Sequence, residues 1–390
     1  MTALVEYEAT AVTLDPRDLD FVLDLVRYGS GDARVLHGVT PTHRPGVYEL
    51  VAGPYVGRIG LPSGDWLDLQ SRFPIEDVIE LIRASGRHPV RLGPLAAPGE
   101  TSAFLVDAIA IAFDREVSSL LGSGLAKGYI ATRCTVPPYA GRLDTSFHLG
   151  RLAARPDRLA TISRRLTSDI IENQALAVAL DVLRQVPLQR SVSMRLASLA
   201  SAFRRVSRPH LRAEQVAAVH LTNLTRRYET ALALAEAILR SQSLAPRSAQ
   251  LPGASLLFWM PKVWENYVAA WLREKWPDHR IVAPYRFVLT DDGQYAEADA
   301  TVWDGDTLIA LYDAKYKWPD RAPSRSDLYQ MITYCERLGL SDAWLVYPAS
   351  VGSWKISVLK KNVHVLGVNP DATRETGGVV RPPADEHASR

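Results

Sequence analysis

The sequence predicts a multidomain chain of mixed α+β class. A β-rich N-terminal domain spans residues 1–160, a helical, Arg-rich segment 161–250, an α/β core with a mixed sheet flanked by helices 251–368, and a disordered tail 369–390. Three observations predict it. The 390 residues exceed one ordinary domain and suit two or three. Short apolar runs punctuated by Gly and Pro dominate the start, whereas 165–245 carries apolar residues at helical spacing. From about Leu256 the pattern becomes α/β.

The elements follow in order. Residues 47–51, 55–61 and 66–69 read as hairpin strands, with Gly and Pro in the gaps. A helix is expected over 15–28, where Leu19, Val22, Leu23, Leu25 and Val26 keep a helical period, and another over 74–84, opened by Pro and acids. Residues 86–100 read as a loop, 102–121 as a helix, and the run to Val136 as a strand ended by Pro137-Pro138. Two long helices are expected over 169–186 and 213–241, the second through Val216, Val219, Leu224, Tyr228, Leu232, Ala235 and Leu239. Asn173 faces inward on the first and reads as a buried hydrogen-bonding residue.

The C-terminal third reads as helix, three-strand meander, helix, strand. The pieces are a helix over 259–276 containing Glu265, strands over 280–289, 295–303 and 308–316, a helix over 327–338 and a strand over 343–347. Asp291-Asp-Gly293 is a hairpin turn signal. Asp313 and Lys315 are two apart on a strand and therefore share a face. Asp299 lies on the neighbouring strand, where antiparallel pairing can bring it beside Asp313. Two converging carboxylates repel unless a cation neutralises them, and Mg²⁺ suits such an oxygen site. A lysine beside a metal-bound water can hold or deprotonate it for attack on a phosphodiester.

The +2 net charge hides an uneven distribution. Residues 1–160 hold 16 basic and 19 acidic side chains, 161–250 hold 13 and 6, and 251–390 hold 16 and 18. The middle is therefore +7, and Arg190, Arg195, Arg204, Arg205 and Arg208 lie in it. These arginines read either as a track for a DNA backbone or as a solvated face in an Arg-biased chain. Cys134 and Cys335 form neither a disulfide framework nor a zinc site, which favours a reducing compartment. His148, His210, His220 and His279 lack metal-ligand spacing. No signal peptide or membrane span is read, so a cytoplasmic protein is expected.

Three blocks carry a resemblance: Met260-Pro-Lys-Val-Trp-Glu-Asn-Tyr-Val268, Asp313-Ala-Lys-Tyr-Lys317 and Asp327-Leu-Tyr-Gln-Met-Ile-Thr-Tyr334. They resemble the PD-(D/E)xK nuclease core and, more narrowly, the McrC family of modification-dependent restriction systems. Weaker matches at Gly141-Arg-Leu-Asp144 and 167–173 extend the resemblance over roughly 140–350, and Val56-Gly-Arg-Ile-Gly60 is the best earlier piece. The resemblance implies Asp299 and Asp313 as metal ligands and Lys315 as the catalytic lysine. Glu265 is implied as a supporting acid, itself a metal ligand or holder of its water, and Gln330 as the polar helix residue near the scissile phosphate. Lys317 and Tyr329 are secondary DNA-contact candidates. The chain departs from the family in one place: Ala298 stands where a proline usually precedes the second-strand acid. Asp299 is kept in preference to the nearby Glu297.

The resemblance also implies a DNA endonuclease subunit using Mg²⁺, with Mn²⁺ as a possible substitute. Its partners would be DNA and a McrB-like AAA+ GTPase hexamer, engaged by an N-terminal arm. The chain has no G-x-x-x-x-G-K-[ST] loop, so it is expected to bind no nucleotide itself. The competing expectations are a non-catalytic adaptor of the motor and a stand-alone structure-specific nuclease.

Overall fold

The computed structural model describes residues 2–27, 33–73, 78–79, 81–82, 104–155, 157–243, 255–317, 323–348 and 353–369. The expected loop at 86–100 and, but for Asn369, the expected tail lie outside these. The helix expected over 74–84 is described only at 78–79 and 81–82, which are helical. Two compact units divide the chain, residues 1–108 with 241–390 and residues 109–240. Their limits do not coincide with the sequence boundaries at 160 and 250.

The first unit opens with β1 (Thr2–Val5), β2 (Ala9–Thr13), α1 (Pro16–Arg27), β3 (Leu36–Pro41), β4 (Val47–Ala52), β5 (Tyr55–Gly60) and β6 (Trp66–Gln70). β1 runs parallel to β6, β6 antiparallel to β5, and β2-β4-β3 forms a separate antiparallel sheet. Asp15 starts α1 by accepting a bond from the Arg17 amide. Phe21, Val22 and Leu25 of α1 pack with Leu4, Leu36, Leu50, Ile59 and Leu67 in one apolar core. Every residue of β5 is buried, including Arg58. Its guanidinium meets Asp68 at 2.8 Å and Asp107 at 2.8 Å, so the buried charge is compensated.

The second unit takes in most of α2 (Leu105–Gly122), then β7 (Gly128–Cys134), β8 (Arg142–Leu143) and β9 (Thr161–Thr167), which pair antiparallel in the order β7-β9-β8. This sheet leaves Tyr129, Ile130, Leu143 and Leu166 exposed, beside Arg133, Arg142, Arg164 and Arg165. The helices α3 (Ile171–Gln185), α4 (Arg190–Ala200), α5 (Ala213–Ala217) and α6 (Glu229–Ser243) follow. Asn173 is fully buried, donates to Ala126 O and Ser168 O, and accepts from Tyr228 Oη at 2.9 Å.

The helix expected over 213–241 is two helices. Thr222 and Thr225 bond each other's backbone and hydroxyls between them, building a turn that competes with helical bonding. Leu224, counted on the apolar face, is 80% exposed there. A helix also forms at α4 inside the Arg-rich stretch, on the buried period of Val192, Leu196 and Leu199.

The chain then returns to the first unit. β10 (Ser255–Trp259), a strand the sequence did not announce, pairs antiparallel with β5 and completes the order β1-β6-β5-β10. Gly57 permits this pairing. Its φ is +141°, and a Cβ there would stand 2.0 Å from Leu256 O. Next come α7 (Met260–Lys275), β11 (Arg280–Val282), β12 (Tyr285–Val288), β13 (Tyr295–Ala298), β14 (Ala300–Asp304), β15 (Thr307–Ala314), α8 (Arg325–Leu338), β16 (Asp342–Tyr347), β17 (Trp354–Val358) and β18 (Lys361–Gly367).

The six-stranded sheet runs β11-β14-β15-β16-β18-β17, with β15, β16 and β18 mutually parallel. The continuous strand expected over 280–289 is split at Pro284, whose nitrogen has no proton to donate. The return strand splits at Asp299 itself. β12 and β13 thereby form a ribbon of their own, while β11 and β14 join the main sheet. Met331, Tyr334 and Cys335 of α8 pack on Leu311, Leu345, Val363 and Val365 of that sheet. Burial pushes the Cys335 thiol up to about 12, so it behaves as an apolar core residue.

Candidate active site

The end of β15 is the centre of the site. Ala300 pairs with Tyr312 across the antiparallel β14/β15 ladder, so one step further Asp299 faces Asp313. Strict alternation would put Asp299 on the face of the exposed Glu297, with Ala298 and Ala300 buried opposite, but the strand breaks at Asp299 and leaves its side chain half-buried. At the strand break Asp299 Oδ2 accepts the Ala314 amide at 2.7 Å. The side chain thus caps the neighbouring strand.

Asp313 is 2% exposed. Its Oδ1 accepts from Gln330 Nε2 at 3.1 Å, and Lys315 Nζ stands 2.7 Å from Oδ2. Oδ2 has no directed hydrogen bond, so its contact with Lys315 is an ion pair. Lys315 Nζ also donates to Gln330 Oε1 at 3.1 Å and lies 3.8 Å from Asp327 Oδ1. Gln330 therefore bridges the carboxylate and the ammonium, with Tyr334 Oη one helical turn away at 3.3 Å. Ser324 caps α8 by accepting from the Asp327 amide, which places Asp327 and Gln330 over the end of the strand.

The electrostatics match the geometry. Burial pushes the Asp299 carboxyl up to about 8, reinforced by the charges of Asp313 and Glu265. Burial also raises Asp313, against the pull of Lys315. Burial disfavours a charged Lys315, but Asp313, Asp327 and Asp299 outweigh it and hold the ammonium protonated above its ordinary range. Burial acts to raise Asp327, yet Lys317 and Ser324 hold it below the usual carboxylate range.

The other expected residues are placed as follows. Glu265 on α7 pairs with Lys262 at 2.6 Å and is close enough to Asp299 to repel it. Lys317 pairs with Asp327 at 2.5 Å, and Tyr329 is 66% exposed on α8. The five arginines belong to the second unit. Arg195 pairs with Asp114 at 2.9 Å. Arg208 meets Asp181 at 3.0 Å and the carbonyls of Phe203 and Val206. Arg190, Arg204 and Arg205 are exposed. Asp327, Tyr334 and Lys262 escaped the sequence reading. Asp327 and Tyr334 lie three and four residues from Gln330 on α8, and Lys262 three from Glu265 on α7, which was the available signal.

Among the described residues no three His, Cys, Asp or Glu side chains converge tightly enough to cage a metal alone. Asp299 and Asp313 nevertheless suit Mg²⁺, which binds through one or two carboxylates and keeps several waters. The buried Asp313 Oδ2, lacking a directed hydrogen bond, and the mutual repulsion of the pair are what such a cation would relieve.

The sequence model of the family described as "McrBC 5-methylcytosine restriction system component" matches residues 50–348. Among solved structures, the chain is similar to one from Thermococcus gammatolerans, described as a refined half-complex from a tetradecameric assembly of McrB AAA+ hexamers with bound McrC. That match has 16% identity and a TM-score of 0.60, and it covers 96% of this chain and 97% of the other. The cryo-EM structure of the Thermococcus gammatolerans McrBC complex also matches, with 15% identity and a TM-score of 0.45, over 70% of this chain and 87% of the other. No curated protein matches the sequence.

Proposed function

The chain belongs to the McrBC 5-methylcytosine restriction system component family, and from that premise we propose that it is the McrC-type nuclease subunit of such a system. It would cleave DNA phosphodiesters with a PD-(D/E)xK site, activated by and stimulating an AAA+ GTPase partner. One observation carries the reading: Asp299, Asp313, Lys315 and Gln330 converge at the end of β15 with the acids crowded and the lysine charged.

The residues divide the work. Asp299 and Asp313 would hold Mg²⁺, or Mn²⁺ in its place, with Glu265 supporting from α7. Bound there, the ion supplies positive charge to the scissile phosphate and acidifies its water. Asp313 and Gln330 fix the Lys315 ammonium, which offers protons to hold an attacking water or a developing phosphorane oxygen. Asp327 keeps Lys317 beside the site, where it can meet a phosphate of the strand being cut. The mostly exposed β7-β9-β8 sheet, apolar and Arg-rich, suits the arm that engages the motor. Arg190, Arg204 and Arg205 are available for DNA-backbone contact.

The test is a cleavage assay with Mg²⁺ on methylated and unmethylated DNA, with and without the AAA+ partner, GTP and ATP. Asp313→Ala and Lys315→Ala are expected to abolish cleavage while folding and partner binding persist. Wild-type cleavage by either variant would overturn the assignment, and cleavage-independent function would favour an adaptor instead.

A further inference from the structure

Immediately after Lys315 the chain enters a second polar cluster, built with the N-terminal sheet of the same unit. Tyr316 is 6% exposed. Its hydroxyl donates to Glu6 Oε2 at 3.0 Å and meets Ser71 Oγ at 3.2 Å. Its carbonyl accepts from an Arg72 terminal nitrogen at 3.1 Å. The Arg72 guanidinium lies over the rings of Tyr7, Tyr316 and Phe73, at 5.0, 5.3 and 5.8 Å. Phe73 and Tyr316 are themselves 5.5 Å apart. Glu6 is 2% exposed, and its backbone amide bonds Gln70 O at the end of β6. Two parts of the N-terminal region, residues 6–7 and 71–73, thus close on one residue that adjoins the catalytic lysine.

An apolar residue at 316 would suffice to fill this space. What the cluster adds is fixed backbone geometry. Arg72 binds the Tyr316 main chain from one side, while the Lys315 amide is bonded to Val346 O on β16 at 2.8 Å. The two-residue stretch carrying the lysine is therefore clamped at both ends, to the nuclease sheet and to the N-terminal sheet. A displacement of about 1 Å in a catalytic group can cost about a hundredfold in rate. Burying Glu6 and a tyrosine hydroxyl, with Arg72 half-buried beside them, is costly for stability alone, which makes a positional role the more economical use of them.

We infer that Arg72, Tyr316 and Glu6 are positioning residues that hold the Lys315 main chain in register with Asp313 and Gln330, and so tie the nuclease site to the N-terminal sheet. The inference rests on the nuclease reading above. It gives the N-terminal sheet a direct part in cleavage. A partner that strains that sheet would reach the lysine through Tyr316 without touching the active site.

The experiment measures Mg²⁺-dependent cleavage of DNA by the full chain with its AAA+ partner. The variants are Tyr316→Phe, Arg72→Ala, Glu6→Ala, Glu6→Gln and the double variant Tyr316→Phe with Glu6→Ala. Tyr316→Phe and Glu6→Ala are expected to lower kcat about tenfold to a hundredfold, with KM for DNA close to wild type and the variants still folded at the assay temperature. Burial pushes the Glu6 carboxyl up to about 7, so Glu6→Gln mimics the protonated form and keeps an acceptor. It should restore most of what Glu6→Ala loses. The losses should be less than additive in the double variant, because both substitutions remove the Tyr316–Glu6 bond. Wild-type kcat in Tyr316→Phe, additive losses in the double variant, or losses that disappear when the assay is run well below each variant's thermal midpoint would each overturn the inference. Should Arg72→Ala fail to fold, the milder Tyr316→Phe decides alone. Lys315→Ala is run in parallel: if it cleaves normally, the nuclease reading itself has failed, whereas an inactive Lys315→Ala beside a normal Tyr316→Phe condemns only the positioning role.

Discussion

Asp299→Asn separates what the site costs the fold from what it gives to function. Burial, with Asp313 and Glu265 beside it, moves the Asp299 carboxyl from 3.8 to about 8. The folded chain thus binds this proton more tightly than the unfolded chain does. Its contribution to stability is complete below about pH 4 and is lost as pH rises toward 8. Each unit of pH in that interval costs about 1.4 kcal/mol. The full interval would cap the loss at about 6 kcal/mol, but the repulsion is shared with Asp313, which still ionises in the variant. A net gain of about 1–3 kcal/mol for the metal-free variant at pH 8 is therefore expected, shrinking toward zero at pH 4. The Asn oxygen can still accept the Ala314 amide bonded by Asp299 Oδ2. Urea unfolding followed by circular dichroism in EDTA, at several pH values, measures the gain. Repeating it in Mg²⁺ should stabilise wild type more than the variant, since binding to the folded state alone raises stability. A variant less stable than wild type at pH 8 in EDTA, or one that gains as much from Mg²⁺, would refute the reasoning.

Two further outcomes test the frame that carries the site. Arg58→Ala removes the guanidinium that pairs with Asp68 and Asp107, both nearly inaccessible, and should destabilise the fold by about 3–5 kcal/mol in denaturant titration; a loss below about 1 kcal/mol would show that the network contributes little. Tyr228→Phe leaves the Ala126 amide without its 2.7 Å acceptor and Asn173 Oδ1 without its donor, so a loss of about 1–3 kcal/mol is expected. An unchanged thermal midpoint would contradict that pairing.

Much of the site could be read directly from the sequence because its parts are close in the chain. Asp313 and Lys315 share a strand face by alternation. Gln330 rides a helix whose cap and period are written in Ser324 and the apolar side chains. The Asp299 assignment needed only the hairpin register. What escaped was where continuous apolar runs break. The strand over 295–303 stops at Asp299 because the side chain takes the Ala314 amide. The helix over 213–241 ends at Ala217, and Thr222 and Thr225 bond locally before the next one begins. Propensity does not register either competition, since both depend on where one side chain finds its partner.

The sequence by itself determined the types of most elements, the carboxylate–lysine pattern and the resemblance that located it. These rest on periodicities of two and 3.6 residues, which a chain displays without its fold. Only the tertiary structure decided that residues 255–259 complete a sheet begun at residue 2, and that Asp327 steadies both lysines. It alone brought Glu6 to Tyr316, 310 positions away. Such meetings depend on which buried polar groups can satisfy one another once the apolar faces have packed, and no local pattern encodes that choice.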